Sequence, residues 1–491
     1  MKEIKFDFNN FFSSSIGSTH GVTLKDWQKF LGAAKKAQRH LSAVLADQET
    51  RVALNLEWSN LPHQDKKAIK FIQRLGDQIA TKFESVIFLG IGGSYLGLKA
   101  AQDALCAPYY NEFSSLRYGR PRIYFEGNNL DPETLSALLK NLSPSKTFVV
   151  VISKSGETTE TKAAFALVEL WLKNAVGKKY GRQVFCITDP KSGTLRKKVD
   201  AEQAKDILSF RNLPLLKGVG GRYSEFNMGL LHLAIVGVKI EEVLQGAKSM
   251  ARKCFKPDIS RNPAYMYGLL STIIYKQKDK PIAILMPFGE GLKSTADWYC
   301  QLLAESTGKK YSRRIKVHPN GIEEWLRDES RQPVYVGRTP ISTRGTNDLH
   351  SVQQNNIEGQ NDKAVTFIRV EKFSHDLKVR GTNDFLSGKD YSQLLSVAQE
   401  ATEWALVREQ RPNCTIILPE LTPFYWGALL FFFEMATAFE GELLNINAFD
   451  QPGVEGYKNY MYYKLRKPGL SEAVAQDIRN HPLKKIARYI I

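Results

Sequence analysis

Residues 148–152 (Phe-Val-Val-Val-Ile) form an uninterrupted apolar run that is followed at once by a polar run, 153–161 (Ser-Lys-Ser-Gly-Glu-Thr-Thr-Glu-Thr). A short apolar run with polar boundaries is typical of a buried strand in a parallel sheet. Apolar residues at helical spacing resume at 163–170, so the polar run falls on a turn that leads into a helix. This order predicts a parallel α/β sheet with hydroxyl groups at its carboxyl edge.

The polar run carries more hydroxyl groups than a helix start requires. An ordinary helix start needs one capping hydroxyl and at most one capping-box glutamate, whereas 153–161 offers five hydroxyls and an amine. Unpaired backbone N–H groups and the positive end of the helix dipole also gather at such a turn. We therefore interpret it as a phosphate-binding turn.

Strand-like and helical segments alternate through most of the chain. Residues 23–82 have a helical pattern, and helices are also expected at 294–305 and 347–358. Further strands are expected at 86–89, 122–126, 184–188, 281–286, 364–370 and 415–418. Residues 107–121 and 306–342 are weakly patterned and are expected to be linkers, and the second is long enough to suggest a functional loop. The alternation predicts an α/β protein with two doubly wound parallel-sheet domains, 83–235 and 236–445, flanked by helical segments at 1–82 and 446–491.

Composition argues against several classes of protein. The apolar stretch 424–433 is only about half as long as a membrane span and is followed by Glu434, so we expect no membrane partner. The first residues lack a signal-peptide pattern, so we expect a cytoplasmic protein. The net charge of +17 comes from dispersed residues without a nucleic-acid-binding motif, which favours attraction of anionic metabolites over a nucleic-acid partner. The five cysteines have no metal-ligand spacing, and each is expected to be a small core residue: Cys106, Cys186, Cys254, Cys300 and Cys414.

Two glycine-rich turns have more than one interpretation. The turn Gly90-Ile-Gly92-Gly93-Ser94 resembles a dinucleotide fingerprint, but Tyr95 occupies the sixth position and Glu126 lies farther away than the usual interval. A nicotinamide-dependent oxidoreductase is therefore an alternative that depends on this turn and Glu126 alone. In 218–224 (Gly-Val-Gly-Gly-Arg-Tyr-Ser), Arg222 could pair with a surface carboxylate or stabilise an oxyanion.

A signature near the carboxyl terminus connects these turns. Residues 449–458 (Phe-Asp-Gln-Pro-Gly-Val-Glu-Gly-Tyr-Lys) begin a helix, and the pattern resembles that of the phosphoglucose isomerase family. From about residue 85 to 463 the motifs follow that family's order, namely the turns at 90–97, 153–161 and 220–224 and the runs 305–309 (Glu-Ser-Thr-Gly-Lys) and 345–351 (Gly-Thr-Asn-Asp-Leu-His-Ser). The resemblance implies two sugar-isomerase (SIS) domains in a homodimer that interconverts glucose 6-phosphate and fructose 6-phosphate without a metal or an organic cofactor.

The resemblance also implies roles for individual residues. The sugar phosphate would be bound by Gly92, Gly93, Ser94, Ser153, Lys154, Ser155 and Thr158, and Arg222 and Gln451 would lie at the reacting carbons. Lys458 and a histidine would move protons between the ring oxygen and the C1 hydroxyl during ring opening. A carboxylate would then carry a proton between C2 and C1 through an enediolate that Arg222 stabilises.

The carboxylate and the histidine are where the chain departs from the common pattern. Many family members carry the glutamate in Gly-Glu-Pro-Gly-Thr, but 342–346 here reads Ser-Thr-Arg-Gly-Thr, so we assign the base to Glu305 of the 305–309 motif, as in some shorter bacterial members. His350 matches the shorter members' histidine, and His375 lies where longer members place one that crosses the dimer interface; we favour His350. A non-catalytic sugar-phosphate-binding regulator of the same fold is the alternative function, and acceptance of mannose 6-phosphate stays open.

Overall fold

Two five-stranded sheets and a two-stranded hairpin form the framework of the computed structural model, which describes residues 2–490. The strands are β1 (Lys5–Asp7), β2 (Ser85–Leu89), β3 (Arg122–Glu126), β4 (Thr147–Ile152), β5 (Val184–Thr188), β6 (Arg211–Pro214), β7 (Ile282–Phe288), β8 (Arg313–Val317), β9 (Glu323–Arg327), β10 (Thr339–Ser342), β11 (Lys363–Lys372) and β12 (Asn413–Glu420).

Helices cover and connect the sheets. They are α1 (Ser13–His20), α2 (Leu24–Ala46), α3 (Gln48–Ala53), α4 (Lys66–Ala80), α5 (Leu96–Leu105), α6 (Pro132–Asn141), α7 (Thr159–Val176), α8 (Thr194–Gln203), α9 (Glu225–Ile235), α10 (Ile240–Cys254), α11 (Pro263–Gln277), α12 (Lys293–Thr307), α13 (Gln353–Glu358), α14 (Tyr391–Arg408), α15 (Pro423–Leu443), α16 (Glu455–Lys464) and α17 (Glu472–Asn480). The α/β class expected from the alternation of segments is confirmed.

The first sheet has the strand order β3-β2-β4-β5-β6, and all its neighbouring strands are parallel. Its central strands β2, β4 and β5 are buried throughout, which agrees with the unbroken apolar runs predicted there. Within this sheet β2 comes first along the chain; β3 then lies on one side of β2, and the chain crosses over to β4 on the other side of β2. Open sheets of this kind bind ligands at the carboxyl ends of the strands where the order reverses, here β2 and β4.

The second sheet has the order β1-β12-β11-β7-β10, with β1 antiparallel at its edge and the other strands parallel. Helices α10, α11 and α12 pack against α15, whose side chains are buried from Tyr425 to Glu442. The apolar stretch 424–433 is therefore a buried helix, as predicted. Among residues 2–490 no helix has the length and apolar character needed to cross a membrane.

Helices α5 and α12 connect the two sheets and run in opposite directions. A Cβ on Gly291, just before α12, would lie 2.7 Å from the carbonyl oxygen of Asp103 near the end of α5. A Cβ on Gly92, just before α5, would lie 2.9 Å from Nε2 of Gln301, near the end of α12. Because each helix starts at the carboxyl edge of its own sheet, the carboxyl edges of the two sheets face opposite ends of this helix pair.

The segment 306–342 contains β8, β9 and β10, so the expected linker is wrong for this part of the chain. β8 and β9 form an antiparallel hairpin, and β10 joins the second sheet beside β7. Most of the β8 side chains are exposed. Because the strand buries no regular set of side chains, its sequence lacks the alternation of apolar and polar residues by which a half-buried strand is recognised.

An ionic cluster holds the hairpin against α2 and α15. Arg313 donates two hydrogen bonds to the Glu442 carboxylate, at 2.6 and 2.9 Å. His40 Nδ1 lies 2.7 Å from the same carboxylate, and its Nε2 lies 3.1 Å from Glu323 Oε2 on β9. The hydrogen bond that His40 donates to the Glu442 carboxylate is the main factor that raises the pKa of His40, although burial opposes it.

The helix expected at 347–358 is interrupted. A 3-10 turn covers Asn347–His350, Ser351 leaves helical geometry with φ −133° and ψ −77°, and α13 begins at Gln353. The helices expected within 23–82 and at 294–305 are present as α2, α3, α4 and α12.

By its internal contacts the chain divides into two compact units, Met1–Ala448 and Phe449–Ile491. The larger unit contains both five-stranded sheets, and the smaller contains α16 and α17. The domain borders predicted near residues 82, 235 and 445 stay predictions.

Candidate active site

The glycine turn after β2 packs directly on a second glycine turn. Residues Gly92–Ser94 form a 3-10 turn between β2 and α5. A Cβ on Gly93 would come within 2.2 Å of the carbonyl oxygen of Gly221, which leaves no room for any side chain. Ser94 Oγ is within 3.7 Å of Met228 Sδ. The two turns that sequence analysis singled out are therefore neighbours, and Ser94 and Arg222 come from adjacent backbone segments.

The hydroxyl-rich turn after β4 is held by backbone contacts to β5 and α8. Thr188 Oγ1 donates to the Ser153 carbonyl oxygen at 2.7 Å, and the Thr194 amide donates to the Ser155 carbonyl oxygen at 2.8 Å. Gly156 has φ +75°, and a Cβ there would lie 2.5 Å from the Leu195 amide nitrogen. These contacts fix the course of the turn before any ligand arrives.

The hydroxyl groups of this turn have different roles. Ser153 Oγ accepts from the Gly156 amide at 3.0 Å, and Ser155 Oγ accepts from the Glu157 amide at 3.1 Å, so both hydroxyl hydrogens can point elsewhere. Thr161 Oγ1 donates to the Gly127 carbonyl oxygen and is part of the fold. Thr158 is the N-cap residue of α7 but makes no side-chain capping bond. An anion at this turn would meet Ser153, Ser155 and Thr158.

A cavity of about 200 Å³ opens beside the turn. Its polar lining includes Ser153, Thr161, Lys162, Thr194 and Lys198. The volume is below the roughly 300–1,000 Å³ usual for ligand pockets. Sequence analysis did not select the two lysines, because they lie on α7 and α8 beyond the motif.

Arg222 is buried and held by several acceptors. It lies in the 3-10 turn Gly221–Tyr223, only 3% of it is exposed, and its Nε donates to Ser306 Oγ at 2.8 Å. Its Nη2 donates to the Ala448 carbonyl oxygen at 2.6 Å, and its Nη1 donates to Glu305 Oε2 at 3.3 Å. An ion pair with an accessible carboxylate is thus present, but the arginine itself is inside the protein. Stabilisation of an oxyanion by Arg222 stays a prediction.

Glu305 lies in the last turn of α12, where the helix dipole disfavours a carboxylate. Two donors compensate: Arg222 at Oε2, and Gln301 Nε2 at Oε1 over 3.0 Å. The Glu305 side chain keeps 28% of its surface exposed, so a substrate can reach it while the arginine stays inside. A solvent-accessible carboxylate beside a fixed cation is suited to carry a proton from a carbon whose oxygen becomes negative.

Gln301 is a site residue that the sequence reasoning missed. It is one helical turn before Glu305, and its amide also faces Gly92 of the glycine turn after β2. The sequence signal that could have identified it is its spacing of four residues from Glu305 on a predicted helix, since residues four apart share a helix face. Ser306 and Tyr223 were likewise inside motifs but had no role assigned, although the Tyr223 hydroxyl lies 3.0 Å from Ser306 Oγ.

Neither candidate histidine lies at this edge. His350 is exposed in a turn that follows β10, and His375 is exposed in the loop after β11, beside Lys372 in a second cavity. Lys293, at the start of α12, donates to Ser342 Oγ at that same edge of the second sheet. Glu305 is twelve residues farther along α12, a distance of about 18 Å. Within one chain, therefore, the structure does not bring Glu305 and either histidine together.

Gln451 and Lys458 belong to the smaller unit. Gln451 precedes the 3-10 turn Pro452–Val454, and Lys458 is in the first turn of α16. Lys458 Nζ donates to Glu455 Oε1 at 2.8 Å. Burial lowers the pKa of Lys458, but the hydrogen bond and charge of Glu455 outweigh it, so that the pKa is raised overall.

The five cysteines are all unpaired: Cys186, Cys254 and Cys414 are buried, as predicted, and Cys106 and Cys300 are half-buried. Among residues 2–490 no group of three or more histidine, cysteine, aspartate or glutamate side chains is arranged to hold a metal ion.

Comparisons with known proteins bear directly on this geometry. The sequence matches the phosphoglucose isomerase family over residues 73–476. It is 35% identical to a glucose-6-phosphate isomerase of Carboxydothermus hydrogenoformans over 495 residues, which cover 99% of each chain.

Solved structures give the same result for the fold. A hypothetical protein from Thermus thermophilus is 29% identical with a TM-score of 0.77, and the match covers 94% of this chain and all of that one. A glucose-6-phosphate isomerase from Chlamydia trachomatis, 22% identical, has a TM-score of 0.74 over 94% of this chain and 90% of that one. The protein is thus a member of the phosphoglucose isomerase family.

Proposed function

We propose that this protein catalyses the reversible isomerisation of glucose 6-phosphate and fructose 6-phosphate. The observation that carries the proposal is the accessible Glu305 carboxylate held beside the buried Arg222 guanidinium. Gly93 packs on the turn that carries Arg222, and Gln301, which donates to Glu305, faces Gly92. Both groups therefore lie beside the glycine turn after β2, at the switch point of the first sheet, where a phosphate would bind. Family membership favours an isomerase over the nicotinamide-dependent alternative.

The turns would hold the substrate by its phosphate. Backbone N–H groups of Gly92 and Gly93 and the hydroxyls of Ser94, Ser153, Ser155 and Thr158 are the donors, and Lys154 adds a positive charge. Holding the far end of the sugar fixes which carbons reach Glu305, because the phosphate and C1 are at opposite ends of the open chain.

Glu305 would remove the proton from C2 and return it to C1. The electrons of the broken C–H bond form the C1–C2 double bond and displace the carbonyl π electrons onto O1, and the fixed charge of Arg222 stabilises this enediolate oxygen without having to reorganise. The C2 hydroxyl proton passes to O1 as the C2 carbonyl forms and C1 receives the proton from Glu305. Before this step the cyclic sugar must open, for which Lys458 and a histidine move protons between the ring oxygen and the C1 hydroxyl. Gln451 would contact the substrate near its reacting carbons.

We further propose that the protein acts as a homodimer and that each site takes its histidine from the partner. The separation of Glu305 from His350 along α12 supports this arrangement, since one chain alone brings neither candidate histidine to Glu305. The five free thiols are compatible with a reducing compartment, and we place the reaction in the cytoplasm.

A coupled assay that follows fructose 6-phosphate formation tests the activity. Wild type should be active and Glu305→Gln inactive while it still binds glucose 6-phosphate. An inactive wild type that nevertheless binds the sugar phosphate would favour the regulator alternative. Mannose 6-phosphate in the same assay would test whether the C2 epimer is accepted.

Mixing two inactive variants tests the partner histidine. A heterodimer of Glu305→Gln and His350→Ala contains one site with both groups intact only if the histidine crosses the interface. Recovery of up to about half of the wild-type activity after mixing is then expected. If the heterodimer is verified and no activity is recovered, His350 does not reach the partner's site. The same mixture made with His375→Ala tests the other candidate histidine.

A further inference from the structure

Two buried hydroxyl groups meet behind the Arg222 guanidinium. Ser306 Oγ accepts a hydrogen bond from Arg222 Nε at 2.8 Å and lies 3.0 Å from the Tyr223 hydroxyl. A hydroxyl group can accept two hydrogen bonds and donate one, so Ser306 can hold both partners at once. Ser306 is completely buried, and Tyr223 is 1% exposed. The three groups therefore form a chain of hydrogen bonds inside the protein.

This chain joins the two segments that carry the proposed catalytic groups. Tyr223 directly follows Arg222 in the 3-10 turn Gly221–Tyr223, and Ser306 directly follows Glu305 in the last turn of α12. Consecutive residues of a helix point about 100° apart, so Ser306 can face inward while Glu305 reaches the surface. One end of α12 thus presents the proposed base on one side and anchors the arginine on the other.

Arg222 is anchored at two points of one rigid plane. The guanidinium group is planar, and its Nε and Nη2 atoms are bound by Ser306 Oγ at 2.8 Å and by the Ala448 carbonyl oxygen at 2.6 Å. Because two fixed atoms and the attached side chain determine where the third nitrogen of the plane points, these bonds aim Nη1. The bond from Nη1 to Glu305 is longer, at 3.3 Å. The two anchors therefore hold the guanidinium more tightly than the carboxylate does.

The side chain of Tyr223 is itself held in place. Its ring stacks on the Trp58 indole, with 5.0 Å between the ring centroids and 29° between the ring planes. Trp58 is completely buried, so the close packing around both rings leaves the tyrosine little freedom to move. The Tyr223 hydroxyl therefore has a fixed position from which it restrains the Ser306 hydroxyl.

We propose that Ser306, supported by the Tyr223 hydroxyl, is a positioning residue that fixes the plane of the Arg222 guanidinium for oxyanion stabilisation. Neither residue touches the substrate; both act through Arg222. When O1 of the substrate becomes negative, the guanidinium is already oriented and need not reorganise. This inference rests on the proposed isomerase function.

Steady-state kinetics of Ser306→Ala and Tyr223→Phe test this role. Ser306→Ala should lower kcat at least about tenfold with little change in the KM for glucose 6-phosphate, because the phosphate-binding groups keep their places. Tyr223→Phe keeps the anchor and loses only its support, so kcat should fall about threefold. The double variant should match Ser306→Ala within about twofold, since Tyr223 acts through Ser306. Additive losses would contradict a supporting role for Tyr223.

A pair of substrate analogues measures the placement of the positive charge. 6-Phosphogluconate carries a carboxylate at C1, where the negative oxygen develops, and glucitol 6-phosphate carries a neutral alcohol there. In titration calorimetry, Ser306→Ala should weaken 6-phosphogluconate binding at least about fivefold and glucitol 6-phosphate binding less than about twofold. A general loss of structure would weaken both equally.

Matched variants separate this role from the loss of any buried hydroxyl group. Ser271→Ala removes a buried serine hydroxyl from α11, and Tyr267→Phe removes a buried tyrosine hydroxyl that bonds to Tyr299 and Thr366. Both should leave kcat and the ratio of the two analogue affinities at their wild-type values. Thermal melts establish that each variant is folded.

The outcomes separate the two proposals. An active wild type whose kcat and 6-phosphogluconate affinity are unchanged in Ser306→Ala would overturn the positioning role, and so would equal weakening of both analogues. If Ser306→Ala does not fold, Tyr223→Phe decides, because it should still weaken 6-phosphogluconate about threefold relative to glucitol 6-phosphate. A folded wild type without isomerase activity would instead overturn the proposed function.

Discussion

Arg222 Nη1 and Glu305 Oε2 lie 3.3 Å apart, yet the arginine is 3% exposed and the glutamate side chain 28%. The cation is anchored to Ser306 and Ala448 inside the protein, and the carboxylate reaches the surface from the end of α12. The buried guanidinium is therefore the fixed member of the pair, and the accessible carboxylate is the member that we propose as the proton carrier.

Replacement of Glu305 by glutamine should lower kcat at least about a hundredfold, because general base catalysis contributes roughly 10²–10⁴. The KM for glucose 6-phosphate should change little, since the phosphate turns are untouched. The control is Glu290→Gln, a glutamate with 74% of its side chain exposed at the other end of the α5 and α12 pair. Full activity of Glu305→Gln would exclude it as the base.

Thr158→Ala should raise the KM for sugar phosphate about tenfold and leave kcat nearly unchanged. Its hydroxyl makes no capping bond to α7, so its removal should cost a hydrogen bond to phosphate and little stability. Steady-state kinetics and a thermal melt measure the two effects. Ser145→Ala, an exposed serine just before β4 at the opposite edge of the sheet, should change neither.

Glu455→Gln should shift the pH dependence of ring opening. Removing the charge and hydrogen bond that raise the pKa of Lys458 lets that pKa fall, so Lys458 loses its proton at lower pH. Because the pair is partly exposed, we expect a shift of about one pH unit or less, measured by anomerisation of glucose 6-phosphate. Glu472→Gln, in the same unit but paired with Arg479, serves as control. An unshifted profile would argue against Lys458 in this step.

His40→Gln should lower the thermal stability of the protein at pH 6 and have little effect on it at pH 9. The pKa of His40 is raised in the folded state, so its contribution is fully present below the unfolded pKa of 6.5 and is lost as pH rises through the folded value. Thermal melts should show a loss of about 1–3 °C at pH 6. His481→Gln, with a largely exposed imidazole, is the matched control. An equal loss at both pH values would mean that His40 acts through packing alone.

Sequence patterns predicted the first sheet well because β2, β4 and β5 are buried on both faces and are therefore apolar throughout. The same reasoning could not find β8, whose side chains are mostly exposed, or β1, whose three residues are a strand only because they pair with β12. The two turns were recognisable from their residue types. Glycine is required where backbones pack closely or φ is positive, as at Gly93 and Gly156, and the hydroxyl groups after β4 exceed what a helix start needs.

The relation between site residues was harder to predict. Gln301 reaches the glycine turn after β2 only because α12 runs antiparallel to α5, and no local sequence pattern encodes that packing. His350 was placed at the site by its motif, but the opposite direction of the two sheets puts it at the other edge.

The pairing of β1 with β12 has a consequence for how the protein is made. A ribosome adding about 5–20 residues per second completes β12 some 20–80 seconds after β1 has been synthesised, so the first strand waits that long for its partner. During that interval an unpaired edge strand could join another nascent chain, and charged residues such as Lys5 and Asp7 oppose this. Strand β1 can thus enter the second sheet only after β12 has been made, and it then forms one edge of that sheet.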